Sequence, residues 1–217
     1  MPQAVKGKRP YNSRRRQEQA EATRRQILEA AQKLFERDGY AATTMAAIAE
    51  EAGVALKTVY LAFETKSGVL RGLWHLRLRG DVADVPVGER DWFRAVLEEP
   101  DPVRQLEMNA RNSRTVKVRM GGLLAILRGA APVDRDAADL YARMQSEYRE
   151  NQRVVVESLR AKGALRDGLD VERATDILWT LNHPDVWHAL TAERGWAPEE
   201  YEQWTAESAR AQLLAER

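Results

Sequence analysis

The pattern that most limits what this chain can become lies between Ile27 and Phe63. Ile27, Ala30, Ala31, Leu34 and Phe35 recur at helical spacing, Met45, Ile48 and Ala49 do so again, and Val59 and Phe63 stand four apart. Gly39 and the Ala52-Gly53-Val54 step separate the three runs. The spacing predicts a first helix over 17–38 stopped by a left-handed Gly39, a second with Thr43 as its N-cap, and a third over 56–63. Helices this short cannot each bury a face alone. Sharing Ile27, Leu34, Phe35, Ile48, Val59 and Phe63 in one small core resolves this, and the result is a helix-turn-helix.

That packing decides what the third helix shows to solvent. With Val59 and Phe63 turned inward, Lys57, Tyr60 and Leu61 project outward from a rigid support, where a DNA major groove could receive them. Thr44 and Lys66 stand at the starts of the second and fourth helices, beside free backbone N–H groups, and are candidates for phosphate contacts.

The rest of the chain also reads as helix. A fourth helix is expected from Lys66 to about Asp81, linking the two parts of the protein. Asp101-Pro102 opens another to about Arg128, bent at Gly121-Gly122. Ala137, Tyr141, Met144, Tyr148, Gln152, Val155 and Leu159 mark one face of a long helix that stops at Gly163. Asp170 caps a helix carrying Ala174, Ile177, Leu178 and Leu181, which Pro184 kinks or interrupts. Pro198 opens the last, through Tyr201 and Trp204 to about Leu214. No alternating run predicts a strand. The expected fold is all-α, with a basic flexible arm at 1–16, a helix-turn-helix DNA-binding domain at 17–66 and a larger helical domain at 67–217.

Charge supports the division. Residues 1–80 carry 15 Lys+Arg against 8 Asp+Glu, and residues 81–217 carry 19 against 25. The first 16 residues hold Lys6, Lys8, Arg9, Arg14, Arg15 and Arg16 with no acid, so one end of the chain favours a polyanion. An arm preceding such a unit can enter the adjacent minor groove, which makes Arg14, Arg15 and Arg16 candidate DNA contacts.

Other chemistry is poorly represented. There is no cysteine, and none of His75, His183 and His188 pairs with another histidine four residues away, so no metal site is expected. His183 is expected to cap or pack near Pro184. No Gly-rich phosphate loop, nucleophile elbow or cysteine–histidine arrangement appears, so neither an enzyme nor a cofactor is implied. No apolar run approaches the roughly 20 residues that span a bilayer, and the basic N-terminus lacks the apolar segment of a secretory signal. A cytoplasmic location is the expectation.

The segment TTMAAIAEEAGVALKTVYLAFETKSGVL, residues 43–70, resembles the DNA-binding domain of the TetR family of bacterial transcriptional regulators. The resemblance rests on Thr43-Thr44, Ile48-Ala49, Ala52-Gly53-Val54 and Thr58-Val59-Tyr60 followed by Phe63 and Lys66, with Ile27, Ala30, Ala31, Leu34, Phe35 and Gly39-Tyr40 before them. It implies that Thr44, Thr58, Tyr60 and Lys66 contact phosphates, and that Ala55, Leu56, Lys57 and Leu61 face base edges. The chain departs from the commoner family pattern at Ala55, Leu56, Leu61 and Ala62. Apolar groups at 55, 56 and 61 favour thymine methyls over hydrogen bonding.

The same resemblance implies a homodimer on palindromic double-stranded operator DNA, paired through about 170–193 and 198–214, with a small-molecule effector held in the C-terminal domain. Trp92, Met108, Met120, Tyr141, Met144, Tyr148, Trp179 and Asn182 are the candidate ligand contacts, suited to an apolar or aromatic compound. Release would then be a population shift away from the roughly 34 Å spacing of successive major grooves, with the fourth helix as lever. The alternative is a ligand-independent dimeric DNA-binding protein whose C-terminal domain only dimerises.

Overall fold

The computed structural model describes residues 11–79 and 87–215. Lys6, Lys8, Arg9 and Asp81 lie outside them. Two compact units are distinguished, Met1–Leu73 and Trp74–Arg217, and the division falls inside the fourth helix instead of at its start. The described residues contain α-helices and no strand beyond one isolated antiparallel bridge between Leu165 and Leu214.

The first unit holds α1 (Tyr11–Ala42), α2 (Met45–Glu51), α3 (Leu56–Phe63) and the first turns of α4 (Lys66–Arg79). Its core is the expected one: Ile27, Leu34, Phe35, Ile48, Val59 and Phe63 are all buried, joined by Tyr40, Val69, Leu70 and Leu73. Three expectations need correction. First, α1 begins at Tyr11, six residues before the expected start at Gln17, because no glycine or proline interrupts residues 11–38 and the run is rich in good helix formers. Arg14, Arg15 and Arg16 are therefore helical and not part of a flexible arm. Second, Gly39 breaks α1 at φ 80° and ψ 160°, an extended positive-φ geometry open to glycine alone, instead of the left-handed helical stop. Third, the two threonines exchange roles. Thr44 is the N-cap of α2, its Oγ1 accepting from Ala47 N at 3.1 Å. Thr43 is buried and donates to the Gly39 carbonyl at 2.8 Å.

The junction of α3 and α4 is tight. A Cβ added at Gly68 would lie 2.0 Å from the Phe63 carbonyl oxygen, so only glycine lets the two helices approach this closely. Thr65 caps α4, accepting from Gly68 N at 2.9 Å.

The second unit contains α5 (Asp91–Glu98), α6 (Pro102–Met120), α7 (Leu123–Ala130), α8 (Arg135–Ala161), α9 (Val171–Leu181), α10 (Pro184–His188), a π-helical turn over Ala189–Glu193, and α11 (Pro198–Leu213). Asp101, Asp134 and Asp170 each cap the helix that follows, accepting from Val103 N, Ala137 N and Arg173 N. The sequence reading did not anticipate α5. Gly121 ends α6 outright, so the expected helix to Arg128 is two helices. Pro184 likewise ends the preceding helix and opens α10, with His183 as N-cap accepting from Asp185 N at 3.2 Å, the role expected of that histidine. The main core gathers Phe93 and Val96 of α5, Leu106 of α6, Val155, Val156 and Leu159 of α8, and Leu178 of α9, closed by Ala209 and Leu213 of α11.

Candidate nucleic-acid interface and ligand cavity

The outward face of α3 is built by what holds its inner face. Val59 is fully buried and Phe63 nearly so, while Arg24 of α1 donates to the Ala62 carbonyl at 2.6 Å and lays its guanidinium 4.2 Å from the centroid of the Phe63 ring. Gln26 of α1 donates to the Ala52 carbonyl at 2.7 Å, holding the turn before α3. A helix of eight residues is thereby pinned at both ends, although Ala55 gives it no side-chain cap. On the free face Leu56 is 41% exposed, Tyr60 48% and Leu61 76%. Three large apolar or aromatic groups left in water on one short helix call for a partner surface. Ala55 and Lys57 are exposed beside them, and Thr58 is half-buried.

The expected phosphate contacts divide. Thr44 is exposed at the start of α2, its hydroxyl oxygen already serving the cap. Lys66 corrects the expectation: its ammonium donates to the carbonyls of Tyr40 at 2.8 Å, Ala41 at 3.3 Å and Thr43 at 2.9 Å, and lies 4.3 Å from the centroid of the Tyr40 ring. Three donors meet three acceptors, so Lys66 staples α4 to the end of α1 and has no donor left for a phosphate. Arg15 and Arg16 are exposed on α1; Arg14 is helical, its side chain outside the description.

A shallow groove runs between α1 and α3, lined by Arg16, Gln19, Thr23 and Arg24 on one side and Thr58 and Leu61 on the other. Sequence reasoning missed Gln19, Thr23 and Arg24. The signal was present, since 16, 19, 20 and 23 share one helix face, and Arg16 and Arg24 add positive charge along it.

The second unit contains a small cavity, about 110 Å³ of room for water-sized molecules, that opens to solvent at its mouth. Its walls are mostly apolar, with Trp92, Phe93, Met120, Leu124 and Met144 among them. Of the eight expected ligand contacts, Trp92, Met120, Met144 and Tyr148 line it. The other four do not. Met108 packs against the main core, and Tyr141 accepts from Gln145 at 3.3 Å. Trp179 stacks edge-on to His183 at 4.7 Å, and Asn182 is the fully buried C-cap of α9. They fail because periodicity places a residue on a face without saying what that face meets.

A polar ladder on α6, of which Asn109, Ser113 and Lys117 line the cavity, was not foreseen. Gln105, Asn109, Ser113 and Lys117 repeat every four residues along α6 and are all buried. Gln105 donates to Ser158 at 3.0 Å, Asn109 to Gln152 at 3.1 Å, and Ser113 pairs with the Tyr148 hydroxyl at 3.1 Å, all on α8. Lys117 ends the ladder, donating to Ser113 Oγ and, at 3.4 Å, to the Tyr148 hydroxyl. Tyr148 donates its own hydroxyl hydrogen bond to the Asn182 carbonyl at 2.7 Å. Burial pushes the Lys117 pKa down from 10.5 to about 7 and raises that of Tyr148, so the ladder ends in an amine that loses its proton far more readily than an exposed lysine.

Comparisons with known proteins bear on both sites. Residues 27–73 match the family described as bacterial regulatory proteins, tetR family. The HTH-type transcriptional regulator TtgR of Pseudomonas putida is 29% identical over 170 residues, covering 74% of this chain and 77% of TtgR. NalD, the secondary repressor of the MexAB-OprM multidrug efflux pump in Pseudomonas aeruginosa, aligns with a TM-score of 0.69 at 20% identity, over 91% of this chain and 98% of its own. SmeT, solved as a complex with triclosan, aligns with a TM-score of 0.69 at 19% identity, over 89% and 92%. At such identities the two structural likenesses carry the fold alone. The matched family and TtgR are regulators of transcription, not enzymes. With α2 and α3 lying wholly inside the matched segment and a regulator aligned along most of its length, this chain is similar to the DNA-binding transcriptional regulators of the TetR family.

Proposed function

We propose that the protein is a ligand-responsive repressor: a homodimer that binds a palindromic operator through α3 and leaves it when a small apolar or aromatic effector enters the cavity. The observation that carries this reading is the cavity itself. A unit needed only for dimerisation has no use for a hollow lined by Trp92, Met120 and Met144. NalD, a repressor, and SmeT, which holds triclosan, are precedents for repression and for small-molecule binding on this fold. The exposed residues Leu56, Lys57 and Leu61 are the proposed base contacts, joined by Ala55. Thr44, Thr58 and Tyr60, with Arg15 and Arg16, are the proposed backbone contacts. Dimerisation is assigned to about 170–193 and 198–214, which comprise α9, α10, the π-helical turn and α11, because two recognition helices related by a two-fold axis read a palindrome.

The test selects bound sequences from random double-stranded DNA, then screens compounds for a raised melting temperature and for release of the selected site. A palindromic site, released by the compounds that raise the melting temperature, is the expected result. A palindromic site that no stabilising compound releases would instead favour the ligand-independent DNA-binding protein.

A further inference from the structure

DNA binding makes no use of Lys117. It is 4% exposed, in the middle of the second unit, and its Nζ lies 5.7 Å from the Tyr148 ring centroid and 5.2 Å from that of Tyr201. Two hydroxyls and two ring faces soften the cost of burying an amine without supplying an opposite charge. Among the described residues burial alone governs its titration, with no carboxylate acting on it. A methionine here would fill the same space without that cost, so a purely structural role does not account for a lysine. The amine also belongs to the wall of the mostly apolar cavity, which opens to solvent.

We propose that the effector of this cavity carries a single carboxylate, received by the Lys117 ammonium, while its apolar body lies against Trp92, Met120, Leu124 and Met144. The inference rests on the reading of the cavity as the effector site and specifies the chemistry that site selects. One cation among apolar walls suits a monoanion and not a phosphate, which would need several donors. Binding balances as one proton taken from water: neutral amine, proton and carboxylate become an ammonium–carboxylate pair.

The other titratable groups around Lys117 leave it as the proton acceptor. Tyr148 of α8 and Tyr201 of α11 have pKa values raised by burial and stay protonated. His183, between α9 and α10, has its pKa lowered, first by burial, and is neutral near pH 7. Glu147 of α8 stands exposed at the rim, and α5 contributes only Trp92 and Phe93 to the wall. On α6 itself, Arg114 is engaged by Glu199 and Glu202.

The test is calorimetric titration of the full chain with benzoate, 2-naphthoate and 4-biphenylcarboxylate, each beside its neutral amide, in buffers of different ionisation enthalpy. The fitting acid is expected to bind at least about tenfold more tightly than its amide at pH 7 and to take up close to one proton at pH 9. Its affinity should fall about tenfold per pH unit above 7, and Lys117→Met should keep the amide and lose the acid. Amides that bind as well as acids, or acids that bind without proton uptake, overturn the carboxylate assignment and leave the cavity reading standing. If no member of any pair binds, both readings fall. The wild-type comparison decides even if Lys117→Met fails to fold, and Lys117→Gln provides a second neutral variant.

Discussion

Ser113 on α6 and Tyr148 on α8 bring their hydroxyls within 3.1 Å of each other, and the buried amine of Lys117 donates into that pair. The arrangement has a consequence for stability that needs no ligand. The folded pKa of Lys117 is about 7, against the ordinary 10.5 that the unfolded chain regains. Between those values the unfolded state holds a proton that the folded state lacks, so raising the pH stabilises the fold. Below about pH 7 both states are protonated and the burial penalty is felt in full. From pH 7 to pH 9 the wild type should gain about 2 kcal/mol on Lys117→Met, measured by urea unfolding. A pH-independent difference would mean that the amine is not buried as described.

Lys66 separates two explanations of one residue. As a staple on the carbonyls of Tyr40, Ala41 and Thr43 it holds α4 to the end of α1. Lys66→Met should therefore cost about 2 kcal/mol of unfolding free energy in the first unit, while the salt dependence of operator binding stays as steep. A variant of unchanged stability whose salt slope drops by about one would restore the phosphate contact.

Gly68 is held by space and not by its φ angle. Gly68→Ala sets a methyl group against the Phe63 carbonyl oxygen, a backbone atom that cannot rotate away. The expected loss is about 2 kcal/mol or more, with operator binding weakened because α3 shifts. Circular-dichroism melting and a binding titration on the same sample check both.

Tyr60 and Leu61 are neighbours with different expected roles. Tyr60→Phe should weaken binding to all DNA sequences by a similar factor, whereas Leu61→His should change which sequence is preferred. Repeating the selection from random DNA with each variant measures this. A changed preference for Tyr60→Phe alone would reverse the division between backbone and base contacts.

The helix-turn-helix was legible because its constraints are local. Val59 and Phe63 four apart, with Gly53 just before, leave α3 one way to face, and the structure turns both inward. Other features were hidden for physical reasons. Phe93 and Val96 are the only buried pair on α5, too short a repeat to stand out from a loop. The arginines at 14–16 looked like an arm because charge runs are usually solvated and helical propensity alone is weak. Gln105, Asn109, Ser113 and Lys117 have the spacing of a polar surface stripe. Only the matching Ser158, Gln152 and Tyr148 on α8, far away in sequence, turn that stripe inward. The cavity has the same origin, since its walls come from segments more than sixty residues apart.

All six tryptophans, from Trp74 to Trp204, fall in the second unit, and the first has tyrosines but no indole. The protein is therefore optically divided. Light absorbed at the red edge of the indole band reports on the C-terminal unit and passes through the N-terminal one unseen. Because Trp74 and Trp92 both line the cavity, part of that emission comes from its walls. An effector filling the hollow changes the colour or yield of that emission, while melting of the helix-turn-helix registers in the backbone ellipticity.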